Sequence, residues 1–158
     1  MRKRANARER GDEAAQPIAR LLPLLPLDRT QAHIWQLCSD LPLDTALLGA
    51  YEQLLCRKEQ EQYRRFVFAA GRREYLLTRA LVRTVLSRYV PVDPQTWRFE
   101  QNAYGKPAIA FPHDMLPLSF NLAHTHGLIV CIVALNREVG IDVEDLERAG
   151  ETVEIASL

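Results

Sequence analysis

The fold is decided by one stretch of sequence, RREYLLTRALVR at residues 72–83. At about 100° per residue, its apolar side chains and those that follow fill one broad arc of a helix predicted over residues 70–89. The arc contains Leu77, Leu81, Val82, Val85, Leu86 and Tyr89. Pro91 and Pro94 end the helix, because proline cannot continue the helical hydrogen bonding. A long helix with one buried face is therefore predicted.

Shorter elements are predicted on both sides of this helix. Residues 32–37 alternate like a half-buried strand, Asp44 caps a helix that contains Leu47 and Leu48, and residues 58–66 form a short charged helix. Strands are predicted after the long helix at residues 97–100, 118–122, 128–135 and 139–143. Helices followed by a run of strands predict an α+β domain in which an antiparallel sheet packs on the long helix.

The composition indicates a soluble chain with a separate N-terminal segment. The 158 residues include 20 basic and 20 acidic side chains, so no global charge directs the chain to nucleic acid or to a membrane. Residues 1–30 join a basic head to an apolar run broken by prolines, which predicts a disordered extension or an early start codon ahead of a folded region at 31–150. Three widely spaced cysteines favour a reducing compartment, so we expect a cytoplasmic protein.

The sequence GIDVE at residues 140–144 is the sharpest chemical feature. On an extended chain Asp142 and Glu144 point to the same side, while Ile141 and Val143 point to the core. Two neighbouring carboxylates suit Mg²⁺, which commonly takes one or two protein carboxylates, waters and a substrate phosphate. The alternative is a strand end whose acidic side chains simply face solvent.

Two loops and one helix face offer further polar groups. The turn at residues 105–107 includes Lys106, and the loop at residues 121–127 includes His124. Each has a structural alternative, a hairpin-turn lysine and a histidine bonded to backbone. His126 lies two positions from His124 with no cysteine nearby, which is not the pattern of a closed zinc site.

Three arginines on the long helix form a stripe. Arg72, Arg79 and Arg83 fall within an arc of about 40° on a side other than the apolar arc. Guanidinium groups are good phosphate ligands, so the stripe is a candidate for binding an anion. The alternative is a solvated helix face.

The order of these motifs resembles the N-terminal half of the Sfp-type 4'-phosphopantetheinyl transferase superfamily, over residues 32–150. The matching pieces are RRF at 64–66, the stretch at 72–83, YGKP at 104–107, FNLAHT at 120–125 and GIDVE at 140–144. The resemblance implies a holo-[acyl-carrier-protein] synthase type of enzyme. Such an enzyme transfers the 4'-phosphopantetheine moiety of coenzyme A to a serine of an apo acyl or peptidyl carrier protein and releases 3',5'-ADP. It also implies Mg²⁺ as the cofactor and a place in fatty-acid, polyketide or non-ribosomal peptide biosynthesis.

The resemblance also implies roles for individual residues. Lys106 and Pro107 would lie against the adenine and phosphate end of coenzyme A, and His124 would contact a coenzyme A phosphate. Asp142 and Glu144 would be the metal ligands and so the catalytic residues of this half. The candidates for binding the 3'-phosphate are Arg72, Arg79 and Arg83.

Two departures from the family pattern carry expectations of their own. Ala123 stands where the family has serine, which predicts reduced affinity for the ligand. The family's W-x-x-K-E motif is missing from the chain. We therefore expect a half-domain at 31–150 of a pseudo-dimeric fold, with residues 151–158 as the start of a link to a second half. A lone half would transfer little or nothing and would self-associate through its exposed apolar face.

Two other functions are weighed against this interpretation. The first is a non-catalytic half-domain that binds coenzyme A or a protein partner. The second is a nucleic-acid-binding protein that uses the basic head and the arginine stripe. The zero net charge and the lack of a recognised nucleic-acid motif argue against the second.

Overall fold

The fold combines helices with antiparallel strands. The computed structural model describes residues 23–103, 105–112 and 117–146. Its elements are β1 (Ala32–Cys38), α1 (Thr45–Leu54), α2 (Arg57–Arg65), α3 (Ala69–Leu86), β2 (Arg98–Gln101), β3 (Pro107–Phe111), β4 (Leu118–Thr125) and β5 (Leu128–Leu135). The predicted α+β class is confirmed. Among the described helices, none is both long and apolar enough to cross a bilayer.

The strands form two sheets, whereas one was expected. A three-stranded sheet has the order β1-β5-β4, and a separate hairpin pairs β2 with β3. All pairings are antiparallel, with Trp35 opposite Cys131 and Phe120 opposite Val133 in the larger sheet. The sequence analysis missed β3 because its short apolar run directly follows the turn. The hairpin matters for function because it forms one wall of the groove described below.

The strand predicted at residues 139–143 is absent, which corrects that expectation. None of the described strands pairs with this segment, although it passes close to β4, where a Cβ on Gly140 would lie 3.9 Å from Asn121 Nδ2. Its side chains still alternate, because Ile141 and Val143 are half-buried while Asp142 and Glu144 are exposed. Alternating burial needs only an extended chain on an apolar surface, so the pattern predicted the burial correctly and the hydrogen bonding wrongly.

Local sequence signals explain where the first two helices begin. Asp44 caps α1, since its Oδ1 accepts a hydrogen bond from the backbone N–H of Ala46 at 3.0 Å. Cys56 precedes α2, and its backbone N–H donates to Glu59 Oε2 at 2.9 Å in a capping-box arrangement. The Asp44 cap was predicted from sequence, whereas the role of Glu59 was not.

The core lies between α3 and the larger sheet. Its buried members include Val82, Val85, Leu86, Tyr89, Trp97, Phe120, Cys131 and Val133. The Tyr89 hydroxyl accepts a hydrogen bond from Trp35 Nε1 at 2.8 Å and lies 2.9 Å from His33 Nδ1, so it joins β1 to the end of α3. Trp97 Nε1 donates to Ser87 Oγ at 2.8 Å. The buried polar groups of these large aromatic side chains are thus hydrogen-bonded, as burial requires.

Ordered packing begins earlier than the boundary predicted at residue 30 or 31. Leu25 and Leu27 pack against the core, and the backbone N–H of Leu25 donates to the carbonyl of Arg88 at 2.6 Å. Leu25 and Leu27, which were expected to belong to a disordered extension, therefore pack against the core, next to the end of α3. The rest of that predicted extension, residues 1–22, and the predicted link at residues 151–158 lie outside the described residues.

A buried ion pair joins α2 to α3. Arg83 is 0% exposed, and its Nη2 pairs with the carboxylate of Glu59, which is 8% exposed. Arg83 Nη1 donates to the carbonyls of Trp97 at 2.7 Å and Pro94 at 3.1 Å, just before β2. Arg83 was predicted to face a coenzyme A phosphate. This expectation is corrected, because its guanidinium is enclosed and both of its Nη groups bond within the protein.

Removing the charge of Glu59 should destabilise the fold strongly. Glu59→Gln leaves the Arg83 guanidinium buried without its counter-charge, which we expect to lower the free energy of unfolding by about 3–5 kcal/mol. The matched control is Glu61→Gln on the same helix, since Glu61 makes only an exposed pair with Arg57. That control should lose no more than about 0.5 kcal/mol. Urea unfolding followed by circular dichroism measures both values, and similar small losses would contradict the buried-pair account.

Candidate functional site

A groove lies between α2, α3 and the β2–β3 hairpin. It is open to solvent and has a volume of about 1090 Å³. Its cationic lining residues are Arg57, Lys58, Arg65, Arg79 and Arg98. Its acidic lining residues are Glu59, Glu61 and Glu100. The lining thus has five cationic and three acidic side chains, and one of the acids, Glu59, is paired with the buried Arg83. This excess of positive charge suits an anionic ligand.

The wall formed by α3 contributes Tyr75 and Arg79. The Arg79 guanidinium lies over the Tyr75 ring, 5.2 Å from its centroid, and Arg79 Nε lies 3.8 Å from Glu59 Oε1. Burial raises the pKa of the Tyr75 hydroxyl, and the neighbouring Arg79 lowers it in part. Tyr75 therefore stays protonated at neutral pH and adds no negative charge to the groove.

The wall formed by the hairpin ends in the turn that was predicted at residues 105–107. Gly105 has a φ of 79°, a conformation that glycine adopts without strain. The backbone N–H of Lys106 donates to Asn102 Oδ1 at 2.9 Å, and that of Asn102 donates to the Lys106 carbonyl at 2.9 Å. Pro107 lines the groove. Lys106 Nζ instead pairs with Glu138, beyond the end of β5.

His124 lies at the end of β4, away from the residues that line the groove. Its Nδ1 is 3.2 Å from Glu74 Oε1 on α3, and its side chain is half exposed. The next histidine, His126, has Nδ1 3.7 Å from Asp40 Oδ2. Carboxylates therefore lie near both imidazoles of the β4–β5 turn, so each ring has a partner that can orient it.

The two predicted metal ligands lie on the extended segment after β5. Asp142 and Glu144 are both exposed, and Asp142 Oδ1 accepts a hydrogen bond from the Val143 backbone N–H at 2.9 Å. Within residues 23–103, 105–112 and 117–146, no three His, Cys, Asp or Glu side chains form a group that could hold a metal ion. Hard carboxylate oxygens are the donor type that Mg²⁺ takes, and two of them leave room for substrate oxygens and water. The pair fits part of a magnesium site.

The structure brings some predicted site residues together and keeps others apart. Pro107 and Arg79 share the groove, whereas Lys106 and His124 do not belong to its lining. The others outside the lining are Arg72, Arg83, Asp142 and Glu144. The sequence analysis missed the cations of α2, although Lys58 and Arg65 stand two turns apart on one helix face and could have been found by helical spacing.

Glycine at position 127 holds the turn that positions both histidines. Its φ is 75°, and a Cβ there would lie 2.7 Å from Asp40 Oδ2. We expect Gly127→Ala to lower the free energy of unfolding by about 1–2 kcal/mol, mainly through backbone strain. The control Gly49→Ala lies inside α1 with nothing within 4 Å of the new Cβ, and should raise stability by about 0.5–1 kcal/mol. Chemical denaturation of both variants checks these opposite signs, and a neutral Gly127→Ala would contradict the turn assignment.

Known proteins with similar sequences are phosphopantetheinyl transferases. A family model described as 4'-phosphopantetheinyl transferase, N-terminal, matches residues 42–137. The 4'-phosphopantetheinyl transferase HetI of Nostoc sp. (strain PCC 7120) is 30% identical over 134 residues, 85% of this chain and 56% of HetI. The 4'-phosphopantetheinyl transferase Sfp of Bacillus subtilis (strain 168) is 30% identical over 111 residues, 70% of this chain and 48% of Sfp. A phosphopantetheinyl transferase of Thraustochytrium sp. is 34% identical over 94 residues, 60% of this chain and 32% of that protein.

The match covers the elements that build the groove. The matched residues extend from before α1 to beyond β5, so they include all three groove walls and the β4–β5 turn. The chain spans about half the length of the curated relatives HetI and Sfp. Since the family model covers more than half of the chain, the chain belongs to the Sfp-type 4'-phosphopantetheinyl transferase superfamily.

Proposed function

We propose that this chain supplies the N-terminal half of an enzyme that transfers the 4'-phosphopantetheine moiety of coenzyme A to a serine of an apo acyl or peptidyl carrier protein. The observation that carries the proposal is the groove, in which Pro107 of the family's GKP turn and Arg79 of the arginine stripe lie with the cations of α2. Coenzyme A has three phosphates, so a groove with five cationic side chains suits it chemically. The three free cysteines suit our further proposal of a cytoplasmic enzyme.

The proposed reaction needs no covalent enzyme intermediate. The serine oxygen of the carrier protein forms a bond to the β-phosphorus of coenzyme A, which bears the pantetheine arm. The bond from that phosphorus to the bridging oxygen breaks, its electron pair leaves with 3',5'-ADP, and the serine proton passes to a base. Charge develops on the phosphate oxygens, so positioned cations lower the barrier.

In this proposal the nucleotide end of coenzyme A lies along the groove. Pro107 contacts the adenine end, and Arg79 with the cations of α2 holds the 3'-phosphate. Lys106 reaches a phosphate once its exposed partner Glu138 gives way, a small cost because an exposed ion pair contributes about 0–1 kcal/mol. His124 donates from Nε2 to a phosphate oxygen while Glu74 holds its Nδ1. Arg72 is exposed on the first turn of α3, where its charge adds to the field around the ligand.

Asp142 and Glu144 are the proposed holders of Mg²⁺. An ion held by these two carboxylates would neutralise charge on the transferred phosphoryl group. The hydrogen bond from the Val143 N–H holds Asp142 Oδ1 in place, and the half-burial of Ile141 and Val143 keeps both carboxylates pointing outward.

The complete site is proposed to need a second half-domain, as the pseudo-dimeric family fold implies. That half would supply the glutamate that completes the metal site and accepts the serine proton, together with lysines for coenzyme A. Alone, this half presents apolar side chains to solvent, with Ile34 57% exposed on β1 and Phe68 80% exposed before α3. We propose that these surfaces cause self-association when the second half is missing.

One observation favours the alternative of a non-catalytic half-domain that binds coenzyme A or a protein partner. The cationic groove needs no metal to bind an anion, and Asp142 and Glu144 lie outside its lining. Calorimetry distinguishes the two functions, because only the catalytic one couples coenzyme A binding to Mg²⁺.

Coenzyme A binding should depend on Mg²⁺ through Asp142. We expect Mg²⁺ to tighten binding to the unsubstituted chain by about tenfold and Asp142→Ala to cancel that gain, because the bridging ion loses a ligand. The control Glu52→Ala removes a carboxylate that accepts a hydrogen bond from Tyr63 and lies outside the groove, so the Mg²⁺ effect should persist. Binding that ignores both Mg²⁺ and Asp142→Ala would favour the non-catalytic alternative.

The isolated chain should transfer little or no phosphopantetheine. We expect almost no holo product after incubation with coenzyme A, Mg²⁺ and an apo carrier protein, because the proposed base lies on the second half. Mass spectrometry of the carrier protein measures the yield, with a complete family enzyme as the positive control. Clear turnover by this chain would show that its own residues complete the site.

A further inference from the structure

The three walls of the groove are tied together at one buried point. Glu59 belongs to the first turn of α2, Arg83 belongs to α3, and the Trp97 carbonyl immediately precedes β2. The Glu59 carboxylate pairs with Arg83, and Arg83 Nη1 donates to the Trp97 carbonyl at 2.7 Å. Any change in the spacing of α2, α3 and the hairpin must therefore break or stretch one of these contacts.

Glu59 also acts on the cations that face the ligand. Its Oε2 accepts from the backbone N–H of Cys56 at 2.9 Å, which fixes the turn that contains Arg57 and Lys58. Its Oε1 lies 3.8 Å from Arg79 Nε. One carboxylate thus sets the position of cations on two walls, and it is itself held by the enclosed Arg83.

We propose that Glu59 and Arg83 are positioning residues for the 3'-phosphate of coenzyme A. They set the distance between Arg79 on α3 and the basic first turn of α2 without touching the ligand. This inference rests on the proposed function, since it assigns the groove to coenzyme A. It also gives Arg83 an indirect role in binding the phosphate that this residue was predicted to contact directly.

Electrostatics and positioning make different predictions for Glu59. A negative charge in a cationic groove opposes an anionic ligand, so by its field alone Glu59 weakens binding. Positioning acts in the opposite sense, because cations held at the right spacing bind a phosphate better than cations that must be ordered on binding. A substitution that keeps the charge and moves the carboxylate separates the two effects.

Glu59→Asp is that substitution. It retains the charge and withdraws the carboxylate by one methylene group, so it cannot reach Arg83, Arg79 and the Cys56 N–H together. The matched control is Glu52→Asp, which shortens an acid that accepts a hydrogen bond from Tyr63 and lies outside the lining of the groove. Calorimetry measures the affinity of each chain for coenzyme A and for 3'-dephospho-coenzyme A.

The expected result is a selective loss. Glu59→Asp should bind coenzyme A about tenfold more weakly while its affinity for 3'-dephospho-coenzyme A changes by less than about threefold. Glu52→Asp should keep the affinities of the unsubstituted chain for both ligands. A folded Glu59→Asp chain that binds coenzyme A normally, or that loses affinity for both ligands equally, overturns the positioning role.

Two further outcomes are covered by the same design. If circular dichroism shows that Glu59→Asp does not fold, Arg83→Lys decides in its place, because it keeps the buried positive charge, gives up the guanidinium that spans Glu59 and the Trp97 carbonyl, and alters a residue that cannot touch the ligand. A selective loss for coenzyme A then supports the proposal, and unchanged affinity overturns it. If the unsubstituted chain does not bind coenzyme A, the proposed function itself fails, and the positioning role fails with it.

Discussion

The buried ion pair between Glu59 and Arg83 is the constraint on which the rest of the structure depends. Desolvating two charges is costly, and the Coulomb attraction between them offsets that cost only when the remaining donors and acceptors are also satisfied. Here the Pro94 and Trp97 carbonyls accept from Arg83 Nη1. The Cys56 N–H donates to Glu59, so most of that requirement is met. Of the buried side-chain nitrogen and oxygen atoms of the pair, only Arg83 Nε has no hydrogen-bond partner among the described residues. The pair therefore orders α2, α3 and the start of β2 together. These elements form the two helical walls and the hairpin wall of the groove, so the groove depends on a single buried contact.

Local spacing was sufficient to predict much of the fold. The helix over residues 70–89 is observed as α3 (Ala69–Leu86), and the Asp44 cap is observed as expected, since helical periodicity and capping depend on neighbours within a few residues. Arg83 shows the limit of such reasoning. Arg83 and Arg79 have the same helical spacing, yet the Arg83 side chain is enclosed while the Arg79 side chain is 27% exposed. This difference arises because the segment at Pro94 and Trp97 covers Arg83. Spacing along a helix cannot tell which part of a face another element will cover.

The candidate site was also predictable only in part, because local sequence patterns indicate residue types and do not indicate contacts between distant positions. The sequence motifs indicated the types of residue at the site. Two of the predicted residues, Pro107 and Arg79, line the same groove. The contact between Lys106 and Glu138 joins positions far apart in the chain, and no local pattern indicates it. For residues 139–143, the exposure of the two carboxylates was predicted correctly and the strand was predicted wrongly. Burial that alternates with a period of two residues indicates an extended chain, but it does not indicate whether that chain pairs with a neighbouring strand.

The distribution of charged groups agrees with the proposal that a second half-domain completes the site. In the proposed complex the cations of the groove lie along the nucleotide end of coenzyme A, whereas Asp142 and Glu144 stand on an exposed segment outside the lining of the groove. Two exposed carboxylates held side by side repel each other. Water and salt screen that repulsion well enough for both to remain in place without a bound counter-ion. In the proposed site these carboxylates would hold Mg²⁺ firmly once a further surface excluded water and added ligands. The same closure would bring the reacting phosphate into a low dielectric, where cations placed in advance stabilise the developing charge most.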